Sequence, residues 1–163
     1  SYRHHPQTLK VQEIVKSGAL GMLKLIRGSF SFVLTREVDV RLNPDSGGGS
    51  IWDVGCYPIS YTRLIVGAEP VEVYGWQVKG QKSGVDESFF GQMRFANGVY
   101  AQFDCGFGTP QRTHLEILGD FEITCDVGER RVGERHSERA AGGETIETVG
   151  EIHGVRCAHD DSA

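Results

Sequence analysis

The chain has 163 residues, 39% of them apolar, and a formal net charge of −5. That length suits one domain with a real core and excludes two ordinary ones. The acidic balance argues against nucleic acid as a partner, and no apolar run approaches the roughly 18 residues of a membrane helix.

The sequence opens SYRHHP, with neither an initiator methionine nor the basic tip and apolar stretch of a signal peptide. It passes almost at once into patterned sequence, so it is expected to be a piece of something longer. PQTLKVQEIVKSGALG predicts a helix: Val11, Ile14 and Val15 recur at helical spacing, Pro6 suits the first turn and Gly18 the end. MLKLIRGSFSFVLT, from Met22, is rich in strand formers and predicts one long strand. Residues 36–49 follow as a polar loop marked by Gly and Pro. A second helix is expected from Ser50 to about Val66, with Gly67 stopping it.

The next stretch alternates. VEVYGWQVK, ESFFGQMRF, VYAQFDCGF and THLEILGDFEITCDV read as strands, with Asn97-Gly98 a strong hairpin signal. Phe89, Met93, Phe95, Val99, Ala101, Phe103, Cys105, Phe107, Leu115, Ile117, Phe121, Ile123 and Cys125 are expected on one face. Gln92, Arg94, Tyr100, Gln102, Asp104, Glu116, Glu122 and Thr124 are expected on the other. The expected class is α+β: a large, mostly antiparallel sheet with helices packed on one face. Beyond Asp126 the pattern decays into a loop-rich tail over 128–163, with a last strand expected at TIETVGEI.

The segment PDSGGGSIWDVGCYPIS, residues 44–60, invites comparison with nucleotide loops. A dinucleotide fingerprint needs G-x-G-x-x-G; counted from Gly47, the third glycine position is Trp52, and counted from Gly106 it is Gln111. No Gly-Lys-Ser/Thr is present either, so no cofactor-binding residue is assigned in this chain. Glycines do permit a tight lead-in to a helix, and Ser50 with Asp53 has the S-x-x-D form of a capping box. In a continuing helix Asp53 and Tyr57 lie one turn apart on one face, although Pro58 is expected to distort that helix. On these grounds alone Asp53 reads equally as a cap, and Tyr57 as a half-buried aromatic.

Other candidates are weaker. His4 and His5 point apart in an extended segment without a third ligand, and no metal site is assigned. Asp86 and Glu87 are adjacent on a strand and diverge, so they cannot flank one bond as a hydrolytic pair; Asp86 is kept as a possible pocket residue. Cys56, Cys105, Cys125 and Cys157 are widely spaced with no C-x-x-C, which fits free thiols in a reducing cytoplasm.

YRHHP, SGALGMLKLIRGSF, GGGSIWDVGCYPISYTRLIVGAEP and VDESFFGQMRFANGVYAQFDCGF, in this order, resemble the Gfo/Idh/MocA oxidoreductases, nearest the dihydrodiol and xylose dehydrogenase-like branch. The resemblance covers about residues 2–127. It implies that 1–163 is a single C-terminal substrate domain. An N-terminal Rossmann domain, which holds NAD or NADP and carries a Glu-Lys-Pro lysine, is absent from this chain. It also implies a sugar, cyclic diol or polyol substrate, and a homodimer or higher oligomer formed through the sheet.

By the same resemblance Tyr57 is the general acid/base and Asp53 orients the site or binds a substrate hydroxyl. Arg41, Arg3 and Asp86 are further pocket or hinge candidates. A phenol near its ordinary pKa of about 10 needs a neighbouring cation to ionise at neutral pH, a task that suits the missing lysine. This chain alone is then expected to transfer no hydride and to bind no cofactor. Two other readings stand beside this one: a stand-alone, non-catalytic module for oligomerisation or sugar binding, and an unrelated hydrolase using Asp53 or Tyr57. The coding sequence upstream of Ser1 discriminates between the first two.

Overall fold

A computed structural model describes residues 2–126 and 155–158. Helix α1, Pro6–Lys16, starts where expected, with Pro6 in its first turn. Its cap is His5, whose Nδ1 accepts from the Gln7 amide at 3.3 Å. Ser17 closes the helix, and Gly18 follows with a φ of +77°.

Strand β1 is Leu25–Val33. The loop after it is not featureless: two short 3-10 turns, Val40–Leu42 and Pro44–Ser46, are capped by the side chains of Asp39 and Asn43. The predicted second helix is two pieces. Ile51–Gly55 is a π-helical turn, and α2 proper runs Cys56–Val66, ended by Gly67 in the left-handed region. Pro58 is the physical reason. It has no N–H to give the carbonyl four residues back, so the first turn widens instead of continuing as α-helix.

Six more strands follow: β2 (Pro70–Lys79), β3 (Asp86–Phe95), β4 (Tyr100–Gly106), β5 (Gly108–Leu118), β6 (Glu122–Asp126) and β7 (Val155–Ala158). Among the described residues they form one sheet in the order β2-β3-β4-β1-β5-β6-β7. Every neighbouring pair is antiparallel except β1 and β4, which run parallel from Leu25 beside Tyr100 to Ser31 beside Gly106. The expected β3–β4 hairpin forms at Asn97-Gly98, where Gly98 takes a φ of +85°.

Local pattern could not place β1 at the centre of the sheet, between β4 and β5, because that pairing joins segments far apart in the chain. THLEILGDFEITCDV divides into β5 and β6. Phe121, expected in the buried row, lies in the turn between them and is exposed. The strand expected at TIETVGEI lies outside the described residues; β7 is a later segment.

Both helices lie on one face of the sheet. Val11 from α1 and Tyr61 and Ile65 from α2 join Ile26, Phe95, Phe103, Leu115, Ile117 and Ile123 in the main core. Burying each large side chain stabilises the fold by roughly 1.5–3 kcal/mol. A smaller core of Val54, Cys105 and Phe107 sits under the π-helical turn, with Phe30, Phe32 and Leu42 packed against it.

The opposite face is polar and studded with ion pairs: Arg27–Glu116, Arg94–Glu72 and Arg112–Asp104. Exposed pairs of this kind contribute about 0–1 kcal/mol each, so they define a solvated surface more than they hold the sheet. At the edge, β2 is exposed along its length after Pro70. Val73 emerges on the helix side, opposite Met93, while Tyr74 and Trp76 emerge on the polar side next to Gln92 and Phe90.

Candidate functional site

Gly28 on β1 lets α2 come down onto the sheet: a Cβ there would stand 2.7 Å from the Pro58 Cβ. This close crossing sets Tyr57 over the next residues of the same strand face. Its ring packs against Phe30 at 5.2 Å between centroids, and Tyr57 remains 40% exposed. Tyr57, Pro58 and Tyr61 from α2, with Phe30, Thr113 and Leu115 from the sheet, border an apolar cleft.

Asp53, on the π-helical turn, accepts a hydrogen bond from Arg41 Nε at 2.7 Å. Arg41 Nη1 also reaches Asp39 Oδ1 at 3.2 Å, and the guanidinium lies 5.8 Å from the centre of the Phe32 ring. Phe30 and Phe32 are successive residues on one strand face, a separation of about 7 Å. The phenol of Tyr57 and the Arg41–Asp53 pair therefore sit side by side over an aromatic floor. The hydrogen bond that Arg41 donates to Asp53, and then the Asp53 charge, push the Arg41 pKa up, so the guanidinium stays charged. Asp39 is held below the usual carboxylate range, first by the Arg41 backbone N–H.

The expected capping box does not form. Ser50 makes no side-chain cap, and Asp53 gives its carboxylate to Arg41. Ser50 Oγ instead donates to Asp86 Oδ2 at 2.8 Å, and the Ile51 amide donates to the same oxygen at 2.8 Å. The chemistry of a local cap is supplied by a residue 35 positions further on, which a local pattern could not show. Asp86 is only 9% exposed. Arg3 reaches α2 from the chain's start, with Nη2 donating to Ser60 Oγ at 2.6 Å. Of the five residues singled out by sequence, Asp53, Tyr57 and Arg41 thus share one surface. Arg3 lies along the outside of α2, and Asp86 is buried beneath the turn. Phe30 and Phe32 were missed as the floor, although the alternation in GSFSF carried the signal.

The glycine run does not fit a nucleotide phosphate. The amides of Gly47, Gly48 and Gly49 donate to the carbonyls of Pro44, Asn43 and Arg41 at 3.1, 2.9 and 2.9 Å. Gly49 has a φ of +121°, and a Cβ there would lie 2.2 Å from Asp86 Oδ1. The loop's donors are occupied by protein carbonyls, and a carboxylate fills the space beside it.

Cys56 is exposed and Cys105 buried, and both are free thiols. Burial pushes the Cys105 thiol up to about 11, and partial desolvation followed by the charge of Asp53 raises Cys56. Neither favours the thiolate a nucleophile needs. Among the described residues no group of three or more His, Cys, Asp or Glu could hold a metal ion, and no helix is long and apolar enough to cross a membrane.

The helix-backed, mostly antiparallel sheet is the fold of the C-terminal domain of a class of oxidoreductases. The chain belongs to the Gfo/Idh/MocA family: the family model described as GFO/IDH/MocA C-terminal domain matches residues 8–127. It is 36% identical over 117 residues to D-xylose 1-dehydrogenase (NADP(+)) 2 of Haloferax volcanii, covering 71% of this chain and 35% of that protein. It is 24% identical over 107 residues to trans-1,2-dihydrobenzene-1,2-diol dehydrogenase of Mus musculus, covering 66% and 32%. The chain thus spans about a third of the length of these curated relatives.

Among solved structures, the aldose-aldose oxidoreductase from Caulobacter crescentus complexed with glycerol superposes with a TM-score of 0.74 at 23% identity, over 80% of this chain and 41% of that one. Levoglucosan dehydrogenase in complex with NADH and levoglucosan gives 0.71 at 22%, over 77% and 38%. These likenesses establish the fold.

Proposed function

We propose that this domain supplies the substrate pocket of an NAD(P)-dependent dehydrogenase acting on a sugar or cyclic polyol. The observation that carries this reading is the side-by-side placement of Tyr57 and the Arg41–Asp53 pair over Phe30 and Phe32. In this reading Tyr57 exchanges a proton with the substrate's reacting oxygen: the phenol donates when a carbonyl becomes a hydroxyl, and the phenolate accepts in the reverse direction. Asp53, steadied by Arg41, accepts a hydrogen bond from a second substrate hydroxyl. The dinucleotide, held by a cofactor domain outside this chain, supplies the hydride chemistry. The names of the relatives, a xylose dehydrogenase and a dihydrodiol dehydrogenase, support the substrate class.

The test is a panel of aldoses, anhydrosugars and vicinal diols, each offered to the full-length protein with NAD+ and with NADP+. Reduction of one dinucleotide by at least one polyol is the expected result. No reduction by any member, in a protein that binds the dinucleotide, overturns the reading. Isolated residues 1–163 are expected to show no NADPH binding by calorimetry, and micromolar binding there would overturn the assignment of the cofactor to another domain.

The same reading places the protein in the cytoplasm and assembles it through the polar sheet face. Support for assembly comes from Tyr74, Trp76, Phe90 and Tyr100, large side chains exposed on that face. Trp76→Glu is expected to shift the full-length protein toward monomer in sedimentation velocity. An unchanged distribution would remove this face from the interface.

A further inference from the structure

We infer that Asp86 is the positioning residue of this site: from the start of β3 it holds the π-helical turn that carries Asp53 and leads into Tyr57. The inference rests on the functional reading above and assigns Asp86 no contact with substrate.

The first N–H groups of a helix have no partner inside it and need an outside acceptor. A side chain at the N-cap usually provides one. Here Ser50 occupies that position and caps nothing, and one oxygen of Asp86 takes both the Ser50 hydroxyl and the Ile51 amide at 2.8 Å. The turn needs such a tether more than an ordinary helix start does. It is a single π-helical turn, a form rarely stable in isolation, and Pro58 supplies no backbone donor to draw it into α-helix.

Its surroundings are shaped around the carboxylate. Gly49 leaves open the space that Asp86 Oδ1 fills, at a φ that side chains other than hydrogen rarely adopt. Gly55 comes down on Cys105, where a Cβ would be 2.8 Å from the sulfur, and Cys105 Sγ in turn lies 3.7 Å from Ser50 Oγ. β3 itself is rigidly placed between β2 and β4. Asp86 thus transfers the sheet's rigidity to the turn, and the turn's rotation decides whether Asp53 meets Arg41 and where the Tyr57 hydroxyl stands. Misplacing a reacting group by about 1 Å costs on the order of 100-fold in rate.

Asn at position 86 keeps one oxygen able to accept both hydrogen bonds, whereas Ala removes the acceptor. In the full-length protein, Asp86→Ala is expected to lower kcat at least tenfold, with dinucleotide affinity within twofold of wild type. Asp86→Asn should restore kcat to within threefold. Wild-type kcat in Asp86→Ala, or a raised KM at unchanged kcat, would overturn the inference by making Asp86 dispensable or a substrate ligand.

Should the Ala variant not fold, Ser50→Ala removes one of the two bonds and is expected to lower kcat about threefold, against no change if the tether does not matter. Amide hydrogen exchange separates this inference from the functional reading. Asp86→Ala or Ser50→Ala should speed exchange over residues 51–57 and leave β4 unchanged, whatever reaction is catalysed. Unaltered protection there disproves the tether, while unimpaired turnover in a Tyr57→Phe variant disproves the functional reading and leaves the exchange result standing.

Discussion

Tyr57→Phe in the full-length protein is expected to reduce turnover by about 100-fold or more while dinucleotide affinity stays within twofold. The magnitude is that of removing a positioned proton donor or acceptor, a contribution of about 10²–10⁴. The substitution is a clean one. It deletes a single oxygen, and the ring that packs on Phe30 at 5.2 Å and borders the cleft with Pro58 and Tyr61 is retained. Thermal unfolding of the variant, measured beside the kinetics, separates a loss of rate from a loss of stability. Steady-state kinetics with the best polyol substrate, alongside calorimetric titration of NADPH, make the comparison. Turnover equal to wild type would remove Tyr57 from the mechanism.

The second large effect is expected at Gly28. Here α2 rests on β1 with no side chain between them, and a Cβ would stand 2.7 Å from the Pro58 Cβ and 3.6 Å from Leu115 Cδ1. Pro58 is a rigid ring within the first turn of α2, so it cannot yield by changing rotamer. Gly28→Val must lift the helix from the sheet. Overpacking of this kind costs about 2 kcal/mol, and for a chain of this size that lowers Tm by roughly 4–8 °C.

Tyr57 directly precedes Pro58, so the same displacement should lower kcat. A matched control lies on β5, where Gly108 has nothing within 4 Å of a built Cβ. Gly108→Val should leave Tm and kcat near wild type. Thermal unfolding and kinetics on both variants decide the matter: equal behaviour at the two positions would refute the close crossing as the determinant of the site.

The sequence was most legible where structure is local. The alternation through ESFFGQMRF and VYAQFDCGF, with Asn-Gly between, placed the β3–β4 hairpin and the buried rows of Met93 and Phe95, Ala101 and Phe103. Helix α1 could be read from its apolar spacing and its proline. Non-local choices could not be read. Nothing within LIRGSFSFV says that this strand will run parallel to β4, because the pairing is decided by where α2 packs and by the sheet that comes later. Serine and aspartate three apart suggested a local cap. A carboxylate 36 residues after Ser50 competes better for that serine, and Arg41 competes better for Asp53. The spacing of the glycine run differs from that of nucleotide loops, but its packing role is visible only with Asp86 and the carbonyls of the 41–44 loop around it.

The central place of β1 has a consequence for how the molecule is made. Its residues leave the ribosome early, yet their neighbours, Tyr100–Gly106 and Gly108–Leu118, are synthesised far later. At ordinary elongation rates the strand waits about 4 to 15 seconds without a pairing partner. The β2–β3 hairpin, built from adjacent segments, can close during that interval, and β4 adds to β3 as it emerges. The nascent domain therefore assembles from one margin inward. Its apolar midpiece, IRGSFSFV, stays available to chaperones, or to other nascent chains, until β4 and β5 arrive.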